Sequence, residues 1–196
     1  MVLLKKGIPY ILMPTLDDEI PNGIAQLPAL VHKGEIIVGS LDIAEFIERT
    51  YPHTSLTRQG IYSYQEVLEK TENFLPALTA FLKNKDDPKD LTHQSAFELE
   101  LDIIDEILRA TPGQFLCGVE LTLADLYIVP QLFHAVAAIE HFKEFEFYNL
   151  DSKPVRPALE SYISKMFDME EFNNKKSYYS VDKVIHGWKI IRGDIV

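Results

Sequence analysis

The sequence predicts an α+β fold, in which a short region with strands is followed by a longer, purely helical one. Residues 27–40 contain two apolar runs separated by the turn-forming residues His32-Lys33-Gly34, which is typical of a β-hairpin. From residue 60 onward, apolar residues instead recur every three or four positions, the spacing that places them on one face of a helix. The two predicted domains are residues 1–53 and 60–196.

The first ten residues, MVLLKKGIPY, have the pattern of a helix end rather than of a helix start. Lys5 and Lys6 lie where the negative end of a helix dipole favours cations, and Gly7 lies where a C-terminal cap is expected. The apolar run IPYILM (8–13) then predicts a strand.

The hairpin predicts strands over 27–31 and 35–38, and an amphipathic helix follows within 40–52. Ser40 is a suitable N-cap for that helix, and Pro52 ends it.

In the helical region, segments with proline, glycine or acidic residues separate stretches in which apolar residues recur at helical spacing. The predicted helices are about 60–83, 94–110, 122–141, 154–167 and 169–174. Thr122 and Asp125 have the spacing of a capping box, so Asp125 is predicted to be structural rather than catalytic. The aromatic run 141–150 is either a loop that packs on the core or an interaction surface.

Composition excludes several kinds of function. The net charge is −11, from 30 acidic and 19 basic residues, which argues against binding nucleic acid or an anionic membrane surface. The single cysteine, Cys117, cannot form a disulfide within the chain and favours an intracellular, reducing compartment. No uncharged apolar run is long enough to predict a membrane span. The six histidines show no compact ligand spacing, so no metal site is expected.

The segment FLCGVELTLADLYIVPQLFHAV (115–136) resembles the start of the central C-terminal helix in the glutathione transferase superfamily. Within it, Ala124-Asp125-Leu126 and Pro130, followed by His141-Phe142-Lys143, are similar to a run in plant-type dehydroascorbate reductases and, in part, in intracellular chloride channel proteins. The ending around Val184–Trp188 agrees, so the resemblance covers essentially the whole chain.

The resemblance implies a glutathione-transferase-like fold, with an incomplete thioredoxin-like domain before an all-α domain. It implies that Pro28 follows a cis peptide bond and that the backbone of Leu27 pairs with the cysteinyl part of glutathione. It also implies that Ser40 and the helix amides hold the γ-glutamyl carboxylate. Gly39 replaces an acidic residue of the family, which predicts weakened glutathione binding; an N-cap role alone for Ser40 remains open.

The family reduces dehydroascorbate with glutathione through a cysteine at the start of the first helix. The chain as written has no equivalent of that cysteine, and Cys117 precedes Gly118 of the helical motif, so no catalytic residue is assigned. By the same resemblance the first strand and most of the first helix are missing. Three readings stay open: a longer native chain, a protein partner that completes the N-terminal sheet, or a non-catalytic scaffold. The chain is otherwise expected to be a monomer in the cytoplasm or an organelle such as the plastid.

Overall fold

The computed structural model describes residues 1–13, 20, 23–24, 26–85, 91–143, 145, 155–173 and 180–195. The chain divides into an N-terminal unit, Met1–Thr57, and a helical unit, Arg58–Val196.

The N-terminal unit begins with a single helical turn, α1 (Val2–Lys5), which ends as predicted at a glycine. Gly7 has a φ of 65°, in the left-handed region that a residue with a Cβ rarely adopts. Its N–H donates to the carbonyl of Leu4 at 3.0 Å, and the N–H of Ile8 donates to that of Leu3 at 2.9 Å. These two bonds form a Schellman motif and satisfy the last carbonyls of the turn.

The strand predicted over 8–13 is wrong, because these residues pair with no other strand in the described chain. Residues 9–13 are exposed, with Ile11 90% exposed and Met13 73% exposed. A strand needs a neighbour to bond its N–H and C=O groups. The only sheet among the described residues is the hairpin, and its two strands pair with each other and not with residues 8–13.

The predicted hairpin is confirmed, with strands β1 (Ala29–His32) and β2 (Glu35–Val38) running antiparallel. Its first strand lies further along the chain than predicted, so His32 belongs to the strand and not to the turn. Lys33 and Gly34, with φ of 51° and 87°, make the turn. Positive φ at both central residues matches the twist of a two-residue hairpin.

The helix α2 (Ser40–Thr50) follows β2 and packs against the hairpin. The predicted N-cap role of Ser40 is wrong, because the cap is Gly39 and Ser40 is the first residue of the helix. Gly39 has φ 90° and ψ 137°, a conformation that strongly favours glycine. His32, the last residue of β1, packs edge-on against the rings of Phe46 and Tyr51, with ring centroids 5.5 and 6.0 Å apart.

In the helical unit, the described helices are α3 (Tyr64–Lys70), α4 (Phe74–Lys83), α5 (Leu91–Ala110), α6 (Leu123–Phe142), α7 (Pro157–Asp168), α8 (Glu170–Asn173) and α9 (Val181–Ile191). The single helix predicted over 60–83 is therefore two helices. Pro76 explains the break, because its ring excludes the helical carbonyl of Glu72 and it has no N–H. The helices predicted from the sequence did not include α9, although Ser180 caps it and Val184 and Trp188 are buried one turn apart.

The core of the helical unit forms around α6, which begins, as predicted, immediately after Thr122. By length and composition α6 could cross a membrane, but 61% of its most apolar stretch is buried within the structure, as expected of a core helix. In the aromatic run 141–150, Phe145 packs against Phe81 and Phe97 at 5.9 and 6.2 Å between ring centroids. Residues 144 and 146–150 lie outside the described residues.

One carboxylate oxygen in this core has no hydrogen-bond partner among the described residues. Glu100 of α5 is 7% exposed, and its Oε2 accepts no hydrogen bond within the described part of the chain. Burial raises the pKa of this carboxyl, and the nearby charge of Glu72 raises it further. The folded state therefore favours the protonated form of the Glu100 carboxyl. Its contribution to stability is complete below the ordinary glutamate pKa and is lost as the pH rises through the raised pKa.

We expect Glu100→Gln to raise the free energy of unfolding at about pH 8 by about 1 kcal/mol at most, because an amide carries no buried charge. At about pH 4, where the wild-type carboxyl is protonated in the folded state, the gain should disappear. Urea unfolding at both pH values measures the difference. Glu106→Gln, at an exposed position of the same helix, is the matched control. An equal gain at both pH values would show that folding does not raise the pKa of this carboxyl.

Candidate functional site

The three residues that the sequence assigned to ligand binding lie side by side in the N-terminal unit. The Leu27–Pro28 peptide bond is cis. The N–H of Gly39 donates to the carbonyl of Pro28 at 3.0 Å, which fixes the start of α2 beside this dipeptide. One backbone hydrogen bond at the open end of the hairpin therefore brings together Leu27, Pro28 and Ser40.

The start of α2 offers hydrogen-bond donors to an incoming group. The first intrahelical bond runs from the N–H of Ile43 to the carbonyl of Gly39, at 3.0 Å. The N–H groups of Ser40, Leu41 and Asp42 therefore precede the helical ladder and have no partner within it. The hydroxyl of Ser40 is exposed and makes no hydrogen bond with another described residue. Such a helix start suits a carboxylate, since its amides and its dipole both favour negative charge.

A carboxylate stands beside Gly39, although the glycine itself carries none. A Cβ at position 39 would lie 3.3 Å from Oδ2 of Asp42 and 4.0 Å from Nε2 of Gln26. Asp42 therefore places its acid next to the point from which a side chain at position 39 would extend. Sequence reasoning missed this residue. Its only signal was an acid three positions after Gly39, where the first helical turn returns to the same side.

The environment of Cys117 is that of a structural cysteine. The residue is 1% exposed, and its Sγ lies 3.3 Å from the hydroxyl oxygen of Thr122. Burial raises the pKa of the thiol. A reactive cysteine needs a lowered pKa and access to solvent. This geometry agrees with the expectation that Cys117 is not a nucleophile.

Thr122 and Asp125 form the capping box of α6, and Asp125 does more than cap. Its Oδ2 accepts the N–H and the hydroxyl of Thr122 at 2.8 and 2.9 Å. Its Oδ1 accepts the N–H of Leu116 and the hydroxyl of Tyr162, each at 2.9 Å. The side chain is fully buried; burial raises its pKa, and these hydrogen bonds oppose that rise. Asp125 therefore joins the start of α6 to the preceding turn and to α7.

No three histidine, cysteine or acidic side chains meet closely enough to hold a metal ion in the ranges that the structure describes. His134, one of the six histidines, lies edge-on to Trp188 with ring centroids 6.5 Å apart, and burial lowers the pKa of His134. It packs α9 against α6.

Comparison with known proteins connects this arrangement to a family. No family model matches the chain. The chain is 26% identical over 172 residues to glutathione S-transferase DHAR2 of Arabidopsis thaliana, which covers 88% of this chain and 73% of the relative. It is 32% identical over 155 residues to a probable cytosolic glutathione S-transferase DHAR1 of Oryza sativa, with 79% and 66% covered. The chain belongs to the glutathione transferase superfamily.

Its branch is that of the DHAR-type transferases and the chloride intracellular channel proteins, as the resemblance implied. The solved structure of glutathione transferase Omega 3C from Trametes versicolor has the same fold, with a TM-score of 0.74 and 18% identity. That match covers 99% of this chain and 85% of the other. The glutathione-transferase-like fold expected from the sequence, a small thioredoxin-like region before a helical domain, is thereby confirmed.

Proposed function

We propose that this chain binds glutathione in its N-terminal unit. The γ-glutamyl carboxylate is held by the Ser40 hydroxyl and the first amides of α2, and the cysteinyl backbone pairs with Leu27. The observation that supports this most directly is the hydrogen bond from Gly39 to Pro28. It places an exposed backbone segment next to a helix start whose first amides make no bond within the helical ladder. The choice of glutathione as the ligand rests on relatives that are named glutathione S-transferases.

In this proposal Asp42 binds the ammonium group of the γ-glutamyl residue. A family member with an acid before the serine would reach that group from position 39, which here is glycine. Because Oδ2 of Asp42 lies next to position 39, its negative charge is available in the same neighbourhood. Gly39 then costs less affinity than its identity alone suggests.

The DHAR names of the relatives suggest reduction of dehydroascorbate by glutathione. That chemistry needs a thiolate that attacks the oxidised substrate and is then released through a mixed disulfide with glutathione. Cys117 is the single thiol of the 196 residues and is buried with a raised pKa. We therefore assign glutathione binding to these residues, and dehydroascorbate reduction to a form in which a reactive thiolate is supplied from elsewhere.

We expect Ser40→Ala to weaken glutathione binding about tenfold, since it removes a hydrogen bond to a charged carboxylate. Calorimetric titration of the purified chain with reduced glutathione measures this. Ser95→Ala, at an exposed position in the second turn of α5, is the matched control and should leave the affinity unchanged. Equal affinities for all three proteins would exclude the start of α2 as the carboxylate site.

Asp42→Asn tests the ammonium contact separately. It should weaken binding of glutathione but not of glutaryl-cysteinylglycine, which has the same carboxylate and lacks the amine. Equal loss for both ligands would mean that Asp42 supports the helix start and does not meet the ammonium. No measurable heat with millimolar glutathione would overturn the whole proposal.

A second candidate function is a binding subunit whose protein partner completes the N-terminal sheet. Val31 and Ile36 oppose each other across the hairpin and are 61% and 42% exposed. A strand from a partner would cover such an apolar pair and bond an edge of the hairpin that pairs with no described strand. A photo-crosslinking residue at position 31 should then capture one defined peptide of a co-purified partner. The same residue at Val119, which is 71% exposed in the helical unit, should not.

The names of relatives also bear on location. One rice relative is called cytosolic, and two others are called chloroplastic. We extend the proposal to the cytoplasm or the plastid, both of which contain glutathione in its reduced form. Imaging a fluorescent fusion of the native gene product tests this.

A further inference from the structure

The helical unit contains a cavity of about 360 Å³ between the end of α5 and one face of α7. Its walls include the aliphatic side chains of Leu108 and Ala158, the ring of Tyr162, and the polar side chains of Gln114, Ser161 and Lys165. This pocket is open to solvent on one side and has both apolar and polar walls, and its volume lies within the range of sites for small molecules. The proposed function makes no use of these residues.

The feature that singles out this cavity is the cation that lines it. The ammonium group of Lys165 lies 3.5 Å from the centre of the Phe115 ring. Lys165 forms no ion pair with any acid that the structure describes, although the chain has a net charge of −11. Burial lowers its pKa, so the ammonium is partly removed from water. An ammonium that lies over an aromatic ring, with no carboxylate partner among the described residues, is placed to pair with an anion.

The acid whose charge acts most on Lys165 does not supply that partner. Asp125 attracts the ammonium through space, but its two oxygens accept four hydrogen bonds from Leu116, Thr122 and Tyr162. The hydroxyl of Tyr162 is committed to Asp125, so the ring of Tyr162 serves only as a wall of the cavity. The donors left for a ligand are the Lys165 ammonium, the Ser161 hydroxyl and the Gln114 amide.

We propose that this cavity binds a small monocarboxylate, whose carboxylate pairs with Lys165 and whose hydrocarbon part packs against Leu108 and Ala158. One negative charge fits one unpaired ammonium. A dianion would carry its second charge into the field of the buried Asp125, which disfavours it.

Octanoate is a suitable probe, with octan-1-ol as the uncharged comparison. Titrating the full chain with octanoate should move the backbone amide signals of Gln114, Ser161 and Lys165 in a ¹H–¹⁵N spectrum, with saturation at one site. Octan-1-ol should bind at least about tenfold more weakly, because it lacks the charge. Shifts spread over exposed apolar surface, equal binding of the alcohol, or no shifts with millimolar octanoate would each overturn the proposal.

Variants separate the cavity from general hydrophobic binding. Lys165→Met keeps an unbranched side chain of similar length but removes the ammonium, and should weaken octanoate binding at least about tenfold. Lys70→Met is the matched control, because Lys70 also lies over an aromatic ring, that of Tyr62 at 5.7 Å, and is no part of the cavity wall. Ser161→Phe fills the cavity while Lys165 stays intact, and should abolish binding. Full affinity in either cavity variant would place octanoate elsewhere.

Discussion

Replacing Asp125 by alanine is expected to lower the free energy of unfolding of the helical unit by about 3–5 kcal/mol, because it breaks a buried hydrogen-bond network. The change leaves the N–H groups of Leu116 and Thr122 and the hydroxyl of Tyr162 without their shared acceptor. It also removes the capping box at the start of α6, the central helix of the core. Urea unfolding followed by the fluorescence of Trp188, which lies in the same unit, measures the loss.

Three further variants show whether the network causes this loss. Asp168→Ala, at an exposed aspartate at the end of α7, should stay within about 0.5 kcal/mol of the wild type. Tyr162→Phe removes one of the four hydrogen bonds and should cost about 1 kcal/mol. Asp125→Asn keeps the shape but presents an amide to donors, and should fall between Tyr162→Phe and Asp125→Ala. A loss of less than about 1 kcal/mol for Asp125→Ala would contradict the role given to this carboxylate.

Replacing Lys6 by methionine is expected to destabilise the N-terminal unit by about 3–5 kcal/mol, because it leaves a buried carboxylate without its cation. Nζ of Lys6 lies 2.6 Å from Oε1 of Glu48, and both side chains are buried. The ammonium also donates to the carbonyls of Tyr51, His53 and Thr54, where α2 ends, at 2.8, 3.0 and 3.2 Å. One side chain thus holds the first turn of the chain against the end of α2.

Hydrogen exchange of the amides in the hairpin and α2 measures this effect within the N-terminal unit. Protection should fall in Lys6→Met and remain in Lys33→Met, which changes an exposed lysine of the hairpin turn. Adding Glu48→Leu to Lys6→Met should recover part of the loss, since it removes the unpaired acid. Unchanged protection in Lys6→Met would mean that the ion pair contributes little.

Lys6 shows where sequence reasoning about the N-terminal unit stops. Its neighbourhood with Lys5 and Gly7 predicted the end of a helix, and the Schellman motif at Gly7 confirms that prediction. The pattern gave no indication that the ammonium reaches Glu48, 42 positions further along the chain (48 minus 6). Such a partner depends on how α1 and α2 pack, and local spacing carries no information on it.

The candidate site divides in the same way. Leu27, Pro28 and Ser40 were assigned by resemblance, and the structure brings them together. The assignment of Ser40 as N-cap failed because Gly39 can adopt a positive φ that serine avoids, so the helix begins one residue earlier than the local preference for serine indicated. The sequence did not predict Asp42 and Lys165 as site residues, because the role of each depends on a neighbouring residue that lies close only in the folded chain.

By itself, the sequence determined the elements whose causes are local: the hairpin around Lys33 and Gly34, the glycine end of α1, and the start of α6 at Thr122. Turn chemistry, capping and the 3.6-residue period act within a few residues and can be recognised in one chain. Only the tertiary structure decided whether 8–13 would pair as a strand and which donors would surround Asp125. Strand pairing and burial are set by groups distant in sequence, and their free energy exists only once those groups meet.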